Sequence, residues 1–198
     1  MGTSKHDWRP VGAVAPESLT DARLQCHYAA QWLARVARAF VPPEDDDSHT
    51  SLMFDASTGM LATQPFAGNL RLGLDIGELR LAEMRDGGVT RALDLDGCSD
   101  AKAGDWVARL VAGEGLEVEK LQAPSPWDMP MHGLASGTQY RRGPGMSEFA
   151  GWYHNAHAIL SDVRDRYANL SPGPYPVRCW PHHFDMAVLV ALESGDPE

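Results

Sequence analysis

The amino-acid sequence predicts an α+β domain, a mostly antiparallel, meandering sheet packed by about three helices. Apolar residues recur at helical spacing from Ser18 and again from Ser147. Between these stretches leucines occupy every second position and a Gly-rich turn reverses the chain, the pattern of strands with one wet face.

Residues 1–17 mix Gly, Pro, Ser and charge without periodicity and read as a flexible leader, leaving 18–198 as a single domain. Ser18 followed by Asp21 resembles a capping box with Asp in place of Glu. From there Ala22, Cys26, Ala29, Leu33, Val36 and Phe40 fall on one helical face, and Pro42 and Pro43 end the helix. An acidic loop leads to residues 51–54 and 60–63, which read as a hairpin turning at Gly59. Leu70, Leu72, Leu74 and Ile76 then alternate, as do Leu79 and Leu81, before Asp86, Gly87 and Gly88 turn the chain toward Leu93 and Leu95.

Ser99 is placed to cap a short helix with inward Ala103, Trp106, Val107, Leu110 and Val111, stopped by Gly113 and Gly115. Residues 117–145 carry Pro124, Pro126, Pro130 and Pro144, an irregular stretch able to line a site. A long helix follows over 147–167, where Phe149, Trp152, Tyr153, Ala156, Ile159, Leu160, Val163 and Tyr167 repeat at helical spacing. Past Pro172, Pro174 and Pro176, the continuous apolar run from Phe184 to Leu192 predicts a strand covered on both faces.

Composition narrows the function classes. With 198 residues, 43% hydrophobic and 22% charged, the chain suits one ordinary globular domain. Its longest apolar run is far shorter than the roughly 20 residues of a membrane span, and its first residues lack the core of a secretory signal. A formal charge of −10 disfavours nucleic acid and anionic membranes as partners. Cys26, Cys98 and Cys179 form no C-x-x-C pair, which points to a reducing, cytoplasmic setting.

Two polar clusters border core elements. In Trp180-Pro181-His182-His183-Phe184-Asp185, an extended backbone projects His183 and Asp185 to one face and His182 and Phe184 to the other. His183 with Asp185 offers a base and its orienting carboxylate, or two metal ligands. The competing reading has a histidine bonding a backbone carbonyl and Asp185 capping a turn. In Asp45-Asp46-Asp47-Ser48-His49-Thr50, carboxylates and an imidazole together suit a divalent ion, although EF-hand spacing is missing and acidic runs are commonly solvated turns.

Three further features are weaker. His154 and His157 share a helix side away from the apolar stripe and read as solvated, as does His27 between Arg23 and Gln31. Cys98 precedes a helix start that lowers thiol pKa values. No G-x-S-x-G, Walker, H-E-x-x-H or G-x-G-x-x-G motif occurs, which removes the usual support for hydrolase, nucleotide and dinucleotide readings.

Through Asp46-Asp47-Ser48-His49-Thr50 and the stretch from Pro176 to Asp185, the chain resembles a bacterial domain family of unknown function over about residues 18–192. That resemblance implies no activity. It also implies that relatives continue past the equivalent of Leu192, so this chain looks C-terminally truncated beside them. The expectation is a small-molecule or divalent-metal-binding domain of enzymatic ancestry. In it Asp47, His49, His183 and Asp185 form the metal or ligand site, and His183 and Asp185 the catalytic pair, where loop 117–145 closes over the sheet. The rival is a non-catalytic interaction or regulatory protein whose His and Asp motifs are structural.

Overall fold

A computed structural model describes residues 7–170 and 173–191; the predicted leader's first six residues and the end of the predicted strand, Leu192, lie outside them. Over the described residues its architecture is α+β, with three α-helices, a five-stranded antiparallel sheet and a separate two-stranded sheet. Among the described residues no helix is long and apolar enough to cross a membrane.

Helix α1 spans Pro16–Phe40 and begins two residues before the predicted start. Pro16, whose missing N–H costs nothing in the first turn, follows an extended Ala15, and no side chain caps the end. The expected box between Ser18 and Asp21 is not made; Asp21 instead meets His132 Nε2 at 3.2 Å. Ala22, Cys26, Ala29, Leu33 and Val36 are buried as expected, but so are Ala30, Ala34, Ala37, His27 and Gln31. A helix covered on so many sides is a central element, and its alanines let neighbours approach closely.

Strands β1 (Met53–Asp55), β2 (Met60–Ala62), β3 (Arg71–Asp75), β4 (Arg80–Arg85) and β5 (Gly88–Asp94) form a simple meander in sequence order. Register aligns Phe54 with Leu61, Leu61 with Leu74, and Leu74 with Leu81, so one apolar row crosses four strands toward α1. The far face is not simply wet: Met60, Ala62, Ala82 and Met84 form a second small buried cluster. Gly73 lies beneath it, where a Cβ would sit 2.6 Å from Met84 Sδ. The predicted turn at Asp86 and Gly87 has both residues at positive φ, the geometry that matches strand twist in a tight hairpin.

Helix α2 (Asp100–Gly113) is capped as predicted, with Ser99 Oγ accepting from the Lys102 amide at 3.2 Å. Asp100 accepts from Trp32 Nε1 at 2.9 Å and from the Tyr140 hydroxyl at 2.6 Å, tying α1, α2 and the irregular segment together. Gly104 seats Trp32: a Cβ there would lie 2.5 Å from the indole.

Helix α3 (Met146–Arg166) matches its predicted span but not its predicted face. Met146, Phe149 and Tyr153 enter the core, whereas Trp152, Ile159 and Tyr167 are exposed. A second buried side, Glu148, Gly151 and Asn155, receives the part of the leader that is described. The Glu148 carboxylate accepts from the amides of Gly12 (2.6 Å), Ala13 (2.7 Å) and Val14 (2.9 Å). Asn155 exchanges two 2.9 Å bonds with the Arg9 backbone. Residues 9–14 are thus an anchored strap rather than a frayed leader, because one carboxylate and one amide satisfy main-chain groups that would otherwise need water. His154 Nε2 lies 2.9 Å from the Asp7 carbonyl and His157 packs on Phe54, so neither is the plain solvated residue expected.

The last elements depart most from expectation. β6 (Arg178–Trp180) pairs with β7 (Asp185–Ala187) as a short hairpin, and Leu189 beyond it is 63% exposed. The predicted strand buried on both faces is therefore an edge strand of three residues. Reciprocal 2.8 Å bonds between Leu52 and Cys179 join this hairpin to the chain just before β1.

Candidate functional site

Trp180 pairs with Asp185 across the hairpin, so residues 181–184 are its turn and not an extended strand. The expected alternation of side chains therefore fails. Phe184 takes a positive φ of 56° and its amide donates to the Trp180 carbonyl at 2.7 Å, which closes the loop. His183 and Asp185 are exposed.

The turn is held from inside by α1. The Pro181 carbonyl accepts from His27 Nε2 at 3.0 Å and from Gln31 Nε2 at 2.8 Å. His27 stacks on Phe184 with 5.3 Å between centroids and 9° between planes. Tyr153 donates its hydroxyl to the Phe184 carbonyl at 2.8 Å. His27, expected on the surface, is only 1% exposed, because helix α1 is covered on that side by this turn. Burial first, offset in part by its backbone bonds, holds the His27 imidazole below its ordinary pKa.

Outside this anchor lies a cleft of about 500 Å³ lined by Arg38, Asp47, His49, Thr50, Trp127, Trp180 and His182, among others. The two sequence motifs do meet, but through His182 rather than His183. His182 sits 5.8 Å from the Trp127 ring and 6.1 Å from Trp180, forming an aromatic wall. Burial, and next the adjacent His183, hold the His182 imidazole below its ordinary pKa, so it is neutral near pH 7. Gln31 also fixes the opposite wall, its Oε1 accepting from Trp127 Nε1 at 3.0 Å.

The floor comes from the 3₁₀ turn Ser48–Thr50. Ser48, His49 and Thr50 are buried there. His49 Nδ1 accepts from the Glu44 amide at 3.1 Å. A backbone N–H can only donate, so in the neutral ring the proton sits on Nε2. That tautomer makes Nε2 a donor and removes it as a metal ligand or a base. Asp47, whose backbone is left-handed at φ 57°, stands exposed on the rim. Arg38 reaches in from the end of α1, its Nη2 donating to the Ala123 and Pro124 carbonyls and its guanidinium 5.6 Å from the Trp127 ring centroid.

The expected ligand set of Asp47, His49, His183 and Asp185 is not assembled. Among the described residues no group of three or more His, Cys, Asp or Glu side chains is placed to hold a metal ion. His183 and Asp185 do not line the cleft, and His49 presents a proton where a metal needs a lone pair. The catalytic pairing of His183 with Asp185 likewise loses the geometry it was inferred from.

A slightly larger cavity, about 550 Å³, lies between the strap and the β1–β2 turn. Its Glu148 carboxylate is already committed to three amides, so its chemistry is poorer. The cysteines are free and buried. Burial pushes the Cys26 thiol far above its ordinary range and Cys179 up to about 12. Cys98 donates its thiol proton to the Asp94 carbonyl at 3.2 Å.

The irregular segment lines this cleft through Pro126 and Trp127. Arg38 and Gln31 were missed, and His27 was read as a surface residue. Their positions on α1 carry no signal in sequence, since what makes them matter is a turn and a loop arriving from far along the chain. No family model matches the chain, and no curated protein or solved structure matches it either.

Proposed function

We propose that the protein is a cytoplasmic binding domain for a small organic molecule, with the cleft between the Ser48–Thr50 turn, Trp127 and the β6–β7 hairpin as its site. The observation that carries this reading is convergence. Two polar motifs and an irregular loop, unconnected in sequence, supply a buried donor and an aromatic wall to one concave surface, and the end of α1 adds the Arg38 guanidinium.

The test is a saturation-transfer NMR screen of small planar fragments against the native chain and a Trp127→Ala variant. Fragments that bind the native chain and lose their signal in the variant are the expected result. A screen without a single Trp127-dependent fragment would transfer support to the second reading.

That second reading is a non-catalytic interaction protein in which the hairpin motif is structural. It is favoured by the inner half of the motif, where Pro181 and Phe184 serve only as anchors for His27, Gln31 and Tyr153. The two readings divide the motif: its inner residues hold the turn in place, and Trp180 and His182 face outward.

A further inference from the structure

Any ligand in the cleft must answer to the groups whose hydrogen-bonding roles are already fixed. His49 Nε2 carries a proton, because the Glu44 amide occupies Nδ1. Among the described residues no other protein group bonds that proton, and the nitrogen is not shut away from solvent. Trp127 Nε1 is spent on Gln31, and the Thr50 hydroxyl donates to the Asp47 carbonyl at 2.9 Å. The floor therefore asks for an acceptor.

Charge adds a preference. Arg38 holds only backbone carbonyls, no ion pair neutralises it among the described residues, and its Nη1 is shielded from water without a partner. Arg35, one turn back, also bonds a carbonyl, that of Leu121, at 3.2 Å. The opposing charges, Glu44, Asp45, Asp46 and Asp47, are all exposed, where water and salt weaken their field; the guanidinium is partly desolvated and keeps more of its own. Shape comes from Trp127, His182 and Trp180, which present ring faces and edges suited to a flat partner.

We propose that the cleft takes a planar aromatic carboxylate, its ring against Trp127, His182 and Trp180 and its carboxylate accepting from His49 Nε2–H in the field of Arg38. This rests on the cleft being the ligand site. His49 is then a positioning donor that distinguishes an acceptor-bearing ring from a donor-bearing one of the same shape. A fixed donor left unpaired by the wrong ligand is the stronger part of such discrimination.

Three probes of one shape test it: benzoate, benzamide and benzamidinium, titrated into the full chain while the Trp127 indole N–H is followed by two-dimensional NMR. Benzoate is expected to bind about tenfold more tightly than benzamide, the difference a charged acceptor makes to one hydrogen bond. His49→Phe should weaken benzoate by about the same factor. Arg38→Gln should remove most of the preference for benzoate over benzamide, and it carries the test if the His49 variant does not fold. Benzamidinium binding most tightly, or a benzoate affinity indifferent to both substitutions, would overturn the carboxylate while leaving the cleft as a ligand site. If none of the three moves the Trp127 signal at millimolar concentration, the carboxylate falls, and the fragment screen decides the cleft on its own.

Discussion

Replacing His27 by alanine probes the link between the core and the cleft. The ring is almost wholly buried and stacked on Phe184, so its removal leaves a cavity costing about 2 kcal/mol and an aromatic contact worth about 1 kcal/mol. The bond to the Pro181 carbonyl contributes about 1 kcal/mol, although Gln31 continues to donate there. Against this, Nδ1 is buried without a partner, and losing it returns about 1 kcal/mol. The net is about 3 kcal/mol, which for a chain of this length lowers the melting temperature by about 6–12 °C.

The pH dependence of that difference is a sharper test. With its folded pKa below the ordinary value of about 6.5, His27 stays neutral in the native state while the unfolded chain takes up a proton. Its full contribution is present above about pH 6.5 and is lost as pH falls toward the depressed folded value. Chemical denaturation of both proteins at pH 7.5, 6.5 and 5.5 should therefore show the gap between them narrowing with acid. A gap that stayed constant or widened would mean that the buried ring is charged and that its neutral contact with Pro181 is misassigned.

Three other substitutions and one chemical treatment have clear outcomes. Gly104→Ala gains about 1 kcal/mol of helix propensity but drives a methyl into the Trp32 ring, so a net loss of about 1–2 kcal/mol is expected in denaturant melts; Gly113→Ala, with open space around it, should not destabilise. Ala13→Pro removes one of the three amides that Glu148 holds, and hydrogen exchange should then show residues 9–14 losing protection while α1 keeps its own. The native thiols should resist an aromatic disulfide reagent at pH 8 and react in denaturant, since Cys26 and Cys179 are buried and hold their protons; rapid labelling of either would contradict their burial.

The fold was legible where pattern and burial coincide. Alternating leucines from Leu70 to Leu81 gave the meander because each faces the same core row, and Ser99 announced α2 by the chemistry of its cap. Helix α3 was found, yet its burial was misread because Glu148 and Asn155 are buried by their bonds to the strap and not by apolarity. The run after Phe184 looked like a core strand since apolarity alone does not distinguish an interior strand from an edge. For the site, both motifs were visible and their meeting was anticipated. Which histidine takes part was not, because one tight turn at Phe184 changes every side-chain direction that an extended strand would give.

The Leu52–Cys179 bridge has a consequence for how the molecule comes into being. The contacts that seat the hairpin span long stretches of chain: 154 residues separate His27 from Pro181, and 150 separate Gln31 from it. The meander, by contrast, pairs neighbours in sequence. Closing long loops carries an entropic cost that local pairing avoids, and chains emerge N-terminus first during synthesis. The helix and sheet are thus expected to form around α1 before the hairpin docks. The cleft then arises only when the hairpin docks, and the same step completes the core, since Cys179 and Phe184 belong to it.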